Sequence, residues 1–94
     1  MGRLTEDQNR ARENNRLKKK YGITILEYEA LYEEQQGLCA SCGDPMWGKP
    51  HLDHDHATGN LREMLCRGCN VALGMLQDKP EKILRLHSYL VKHL

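Results

Sequence analysis

No phenylalanine occurs in this chain of 94 residues, tryptophan occurs once and proline three times. With only 39% hydrophobic residues, the core is expected to be thin, and thin small domains are usually stapled by disulfides or by a metal. Also missing is any apolar run near the ~18 residues that a membrane span needs, so no membrane partner is expected. The N-terminus lacks the apolar segment of a signal peptide, which points to a reducing, cytoplasmic setting. Charge of either sign is not in excess, at a net +1, and total charge says nothing about nucleic acid.

What is there is concentrated. Cys39/Cys42 and Cys66/Cys69 form two Cys-x-x-Cys pairs with residues 43–65 between them. Without an oxidising compartment these are thiolate ligands rather than cystines. A Cys-x-x-Cys turn presents two thiolates at the bite that tetrahedral zinc takes, and two such turns fill all four positions. No water site remains open, so this zinc is expected to be structural, and the fold to depend on it. A redox dithiol would want a thioredoxin-like βαβ pattern, which is absent.

The charges are segregated. Residues 1–20 hold Arg3, Arg10, Arg12, Arg16, Lys18, Lys19 and Lys20, whereas residues 21–36 hold Glu27, Glu29, Glu33 and Glu34 and no basic residue. Thr5 with Gln8 reads as a capping box opening a helix over residues 6–20. With only Ala11 and Leu17 apolar, that helix shows no face to bury. It is a solvated tail or a basic arm on phosphates. The domain proper is expected over residues 21–94. Thr24 and Glu27 cap a second helix, roughly 25–36, with Ile23 stapling onto Tyr28, a stripe of Ile25, Tyr28, Leu31 and Tyr32, and Gly37 as its left-handed stop.

From Leu38 onward the chain is loop-rich. Residues 51–54 and 61–65 read as two strands joined by the turn Ala57-Thr58-Gly59-Asn60. Cys69 and Asn70 open a helix through Val71, Leu73, Met75 and Leu76, and Met64, Met75 and Leu76 are expected in the core. Asp78 with Glu81 reads as a capping box, and Pro80 suits the first turn of a last helix running to about Lys92. Ile83, Leu86, Leu90 and Leu94 would face inward.

Between the cysteine pairs lies Leu52-Asp53-His54-Asp55-His56. A hard cation such as Mg²⁺ prefers oxygen ligands. Asp53 offers a carboxylate, and Asn70 offers an amide oxygen near a helix N-terminus that would also favour a phosphate. Histidine is the residue type suited to taking a proton from water near neutral pH, which makes His54 the candidate base. Successive strand side chains point to opposite faces, so Asp53 and His54 can share one site only if the strand pair is irregular. His51, His87 and His93 read as structural or surface residues. Trp47, beside Lys49 in the loop before the hairpin, either stacks on a base or covers the cysteine knuckle.

The run Leu52-Asp53-His54-Asp55-His56-Ala57-Thr58-Gly59, then Arg62, then Leu65-Cys66-Arg67-Gly68-Cys69-Asn70, resembles the recombination endonuclease VII family of HNH, or ββα-metal, nucleases. Tyr21-Gly22-Ile23-Thr24 with Tyr28, and Leu73-Gly74, extend the resemblance over roughly residues 20–90. It implies an α+β fold: a small zinc-stabilised, treble-clef-like ββα-metal domain with flanking helices. It implies a phage-type DNA endonuclease or nickase in a bacterial or phage-infected cell. Asp53 and Asn70 would hold Mg²⁺ or Mn²⁺, and His54 would activate water to leave 5′-phosphate and 3′-hydroxyl ends. His56 would bind the phosphate or substitute as a ligand. Arg62 would clamp phosphate, with Lys49, Arg16, Lys18, Lys19 and Lys20 as further DNA contacts. Asp55 either orients a histidine or shapes the hairpin. The family commonly has glycine after the arginine, where this chain has Glu63, a residue that would repel DNA, join the metal or face solvent. The chain stops at Leu94 without the extension that junction-resolving members use to dimerise, so junction resolution is not part of the expectation; monomer and homodimer both stay open. The reading from a different class is a zinc-stabilised module that binds DNA or protein without cutting.

Overall fold

In the computed structural model, which describes residues 5–94, the order is α1 (Glu6–Tyr21), α2 (Ile25–Glu34), β1 (His51–His54), β2 (Leu61–Leu65), α3 (Arg67–Met75) and α4 (Pro80–Lys92). Arg3 lies outside the described residues. The fold is α+β, with one antiparallel two-stranded sheet among the described residues.

Both expected N-terminal capping boxes are present. Thr5 Oγ1 accepts from the Gln8 amide and Gln8 Oε1 from the Thr5 amide, and Thr24 and Glu27 repeat the exchange. Each box satisfies two of the helix donors that otherwise lack partners. α2 closes two residues earlier than expected, through Gln36 and Gly37 in the left-handed region. The Gly37 amide donates back to the Tyr32 carbonyl. A Cβ at Gly37 would meet the Tyr32 hydroxyl oxygen at 3.0 Å and its ring at 3.2 Å.

One expectation about α1 is corrected. Its first half is solvated, but Leu17 is 0% exposed and joins Met46, Leu52, Met64, Leu65 and Cys39 in the core. One leucine at the right turn is enough to seat a polar helix. Asn14 adds a second tie, its Oδ1 accepting the Ile25 amide at 2.8 Å and so capping the start of α2. Arg10 forks onto Glu29 of α2.

The hairpin is fixed from outside by Gln35. Its Oε1 accepts the Met64 amide at 2.8 Å and its Nε2 donates to the Met64 carbonyl at 3.0 Å, imitating a neighbouring strand. Within the hairpin His51 faces Leu65, Leu52 faces Met64 and His54 faces Leu61, with a register shift between Leu52 and His54. Asp53 therefore opposes two residues, Arg62 and Glu63, the two-against-one count of a β-bulge.

Four expectations fail at the C-terminal end. α3 begins at Arg67 with Cys66 as its cap, not at Cys69. Met75 is exposed. The Asp78–Glu81 capping box does not form: the cap is Lys79 without a side-chain bond, and the Asp78 carboxylate goes to Arg62 instead. Pro80 does occupy the first turn. Ile83, Leu86, Leu90 and Leu94 do not turn inward, and among the described residues α4 buries none of its side chains.

Candidate functional site

Two clusters with different chemistry flank the hairpin. In the first, the knuckle is drawn tight by Cys39 N–H donating to the Asp44 carbonyl and Gly43 N–H to the Cys39 carbonyl, with Gly43 in the left-handed region that this turn requires. The four cysteine sulfurs all lie within 4.8 Å of one another, and Cys42 Sγ and Cys66 Sγ are 3.9 Å apart. Tetrahedral zinc with Zn–S bonds of about 2.3 Å has sulfur–sulfur edges of about 3.8 Å. Donor type, number and spacing thus fit a zinc ion. Backbone amides supply the outer support: Ser41 N–H points at Cys39 Sγ and Cys69 N–H at Cys66 Sγ, each at 3.4 Å.

The thiols carry their charge unevenly. Burial lifts Cys39, but amide donors at Cys66, Cys42 and Ser41 outweigh it and bring the thiol down to about 6. Burial and the neighbouring sulfurs push Cys69 up to about 12. Four sulfurs this close cannot all ionise unaided, and a shared divalent cation removes the conflict.

The second cluster is a cleft of about 430 Å³. β1 supplies Asp53 and His54, the turn His56, α3 Asn70, α1 Arg16 and Lys20, and the preceding loop Lys49. Seven of the residues singled out from the sequence are therefore gathered there, and the strand irregularity that Asp53 and His54 need in order to share one site is present. Lys18 and Lys19 are exposed elsewhere on α1, and Arg62 does not line this cleft.

Asp53 is only 9% exposed. Its carboxylate is held by a fork from Arg62, with Nε to Oδ2 at 2.5 Å and Nη2 to Oδ1 at 3.1 Å, and the same Nη2 reaches Asp78 Oδ2 at 3.0 Å. In place of a guanidinium free to clamp phosphate, Arg62 bridges two carboxylates. The bond to Asp53 holds Arg62 protonated more firmly than an ordinary arginine. The bulge accounts for the contact, since it puts Arg62 opposite Asp53.

Asn70 sits one residue past the free amides of the α3 N-terminus, and its own amide already donates to the Cys66 carbonyl at 3.0 Å. The helix N-terminus therefore serves the sulfur cluster rather than a phosphate at Asn70. The Asn70 side chain pairs with His51, Nδ2 lying 3.2 Å from Nδ1. An amide nitrogen can only donate, so this bond leaves Asn70 Oδ1 available to a cation. From sequence His51 reads as a structural or surface histidine, yet it lines the cleft. The signal that finds it is the register, which pairs it with Leu65, next to the residue that caps α3.

His54 and His56 are exposed and stack at 4.8 Å with their planes 19° apart. Asp55 shapes the turn: Oδ1 accepts the Ala57 amide at 2.8 Å and the Thr58 amide at 3.2 Å. Those two donors hold its carboxyl below the usual range. Glu63 is exposed and does not line the cleft. Arg16 enters the cleft paired with Glu13. Trp47 is 86% exposed and covers nothing.

A family model described as recombination endonuclease VII matches residues 14–92. The chain is 44% identical over 75 residues to the Gene 59 protein of Mycobacterium phage D29, and 43% identical over 74 residues to the Gene 59 protein of Mycobacterium phage L5. The matched stretches cover 77% and 76% of this chain but 46% and 45% of those relatives, so it spans about half their length. No solved structure matches significantly. Among the described residues, no helix is long and apolar enough to cross a membrane.

Proposed function

This chain belongs to the recombination endonuclease VII family, and from that premise we propose that it is a metal-dependent DNA endonuclease or nickase of the HNH, ββα-metal type. The observation that carries the reading is the single cleft in which Asp53, His54, His56 and Asn70 meet the basic side chains of Arg16, Lys20 and Lys49. A carboxylate, an amide oxygen and a histidine base beside cations are the parts that phosphodiester hydrolysis requires.

Asp53 and the free Oδ1 of Asn70 are the oxygen donors for Mg²⁺ or Mn²⁺, whose chemistry when bound is to stabilise the charge that develops on the phosphate and its leaving oxygen. His54 accepts the proton of the attacking water, and its exposure leaves the ring open to solvent. His56, stacked on it, limits the ring's rotation and reaches toward the phosphate. Lys20 and Lys49 hold the backbone of the strand, with Lys18 and Lys19 extending the basic surface along α1. The four cysteines hold a structural zinc that fixes the start of α3, and hence Asn70, against the hairpin. α1 contributes DNA contacts through Arg16 and the lysines that follow, and its Leu17 joins it to the core of the catalytic domain.

Relaxation of supercoiled plasmid tests this directly. Wild type is expected to nick in Mg²⁺ or Mn²⁺, and His54→Ala to lose roughly two to four orders of magnitude in rate, the usual contribution of a general base. No cleavage by wild type in any divalent metal would overturn the enzyme reading. It would leave the binding module, which one observation favours: Asp53 is already closed by Arg62.

A further inference from the structure

Arg62 stands between two carboxylates that differ in their surroundings. Asp53 has 11% of its side chain exposed, Asp78 25% and Arg62 38%. Burying a carboxylate as deeply as Asp53 costs desolvation that a cationic or hydrogen-bonding partner must offset. Arg62 is that partner, through both of its bonds to Asp53, while one of the same nitrogens also touches Asp78. Asp78 is held in place by the backbone, since it lies in the left-handed junction between α3 and α4 at φ 54° and its amide donates to the Leu73 carbonyl. Behind the pair, Arg62 and Asp78 also line a second cavity of about 590 Å³ with Pro80 and Ile83. Asp53 does not line that cavity, so Arg62 and Asp78 share open space apart from Asp53.

Resting on the nuclease reading, we infer that Arg62 is the built-in competitor of the divalent cation for Asp53, and that Asp78 is the carboxylate that receives Arg62 when the cation takes its place. The exchange substitutes one cation for another on Asp53, so the buried carboxylate is never left unpaired. Arg62 is then a positioning residue that sets metal affinity, and Asp78, which also borders the cleft, acts mainly through it. The sign of each variant follows. Arg62→Gln removes the competitor while keeping a planar hydrogen-bonding group, so the cation binds more tightly. Asp78→Asn removes the receiving charge, leaves Arg62 wholly on Asp53 and weakens the cation. Asparagine tolerates the left-handed backbone at that position, so this variant keeps the junction.

The test is Mn²⁺ binding to the intact chain, followed by the electron paramagnetic resonance of free Mn²⁺, with Asp53→Asn as the site control. Arg62→Gln is expected to tighten binding about tenfold, the order set by one unit charge beside a divalent cation at near-aqueous dielectric. Asp78→Asn is expected to weaken it several-fold, and to have a clearly smaller effect in the Arg62→Gln background, where only its direct field in the cleft is left. Structural damage would weaken both variants, so the opposite signs and the diminished second effect separate exchange from misfolding. If Arg62→Gln fails to fold, Arg62→Lys with and without Asp78→Asn takes its place, with tighter binding and a smaller Asp78 effect expected. Where wild type binds Mn²⁺ and Asp53→Asn abolishes it, any other pattern overturns the inference and leaves the nuclease reading standing. Wild type that binds no Mn²⁺ at Asp53 overturns both.

Discussion

The two flanking helices reverse what their compositions suggest. α1 is polar almost all round, yet Leu17 is sealed in the core, Asn14 caps the next helix and Arg16 and Lys20 line the cleft. α4 has the cleaner apolar stripe, yet Leu84, Leu86, Leu90 and Val91 all stand exposed, Leu90 at 61%. Amphipathicity says which face of a helix would prefer burial. Whether there is a seat for it is decided by a few specific contacts, and here those contacts belong to the polar helix.

The largest effect should come from removing what both helices are attached to. Chelating the zinc proposed for the four cysteines, or replacing Cys66 with Ser, is expected to unfold the hairpin and release α1, because metal binding and folding are coupled in domains this small. Hydrogen exchange by mass spectrometry would check it: protection in the second half of α1 should collapse with the hairpin, while α4, which leans on nothing buried, should change little. Equal loss in both helices would show that α4 is seated after all.

Next in size is Leu17→Ala. A fully buried leucine cut to alanine costs about 3 kcal/mol, so urea unfolding should lose that much stability while α1 frays. A loss under about 1 kcal/mol would mean that the helix is held by its polar ties alone. Asn14→Ala should cost about 1 kcal/mol, the worth of one part-buried hydrogen bond to a helix start. It should loosen the α1–α2 corner before it touches the cysteine cluster.

The comparison also marks what could be read without coordinates. The strand pair, its turn, the cysteine knuckle and the first two caps were legible, because each depends on residues a few positions apart whose local chemistry allows one outcome. The approach of Asp53 to Asn70 was legible through the cysteines that tie the hairpin to α3, whereas His54 beside Asp53 depended on a strand irregularity that no local signal announces, and His56 entered through the family resemblance. Arg62 on Asp53 was not legible: it arises from a bulge, and one residue more or less in β2 would send Arg62 elsewhere. Asp78 reads as a cap only while Arg62 is ignored. Leu17 looked like a stray apolar residue because nothing local says that the core lies under that turn.

The smallest expected effect is also the one most able to undo the contrast. Leu90→Ser on α4 replaces an exposed apolar side chain, and exposed substitutions away from caps and cores usually stay within about 0.5 kcal/mol. In a monomer, melting of wild type and variant should therefore coincide at every protein concentration. Should α4 instead find its seat on a second copy, the stripe would be buried in the dimer and stability would follow mass action. Wild type would then melt higher as concentration rises, Leu90→Ser would not, and sedimentation would separate the two species. Glu81 and Lys92, at opposite ends of α4, would lie across from each other in an antiparallel pair, so added salt would weaken that dimer further. A concentration-dependent melt that Leu90→Ser abolishes would mean that α4, like α1, is a helix with a seat, only one supplied in trans.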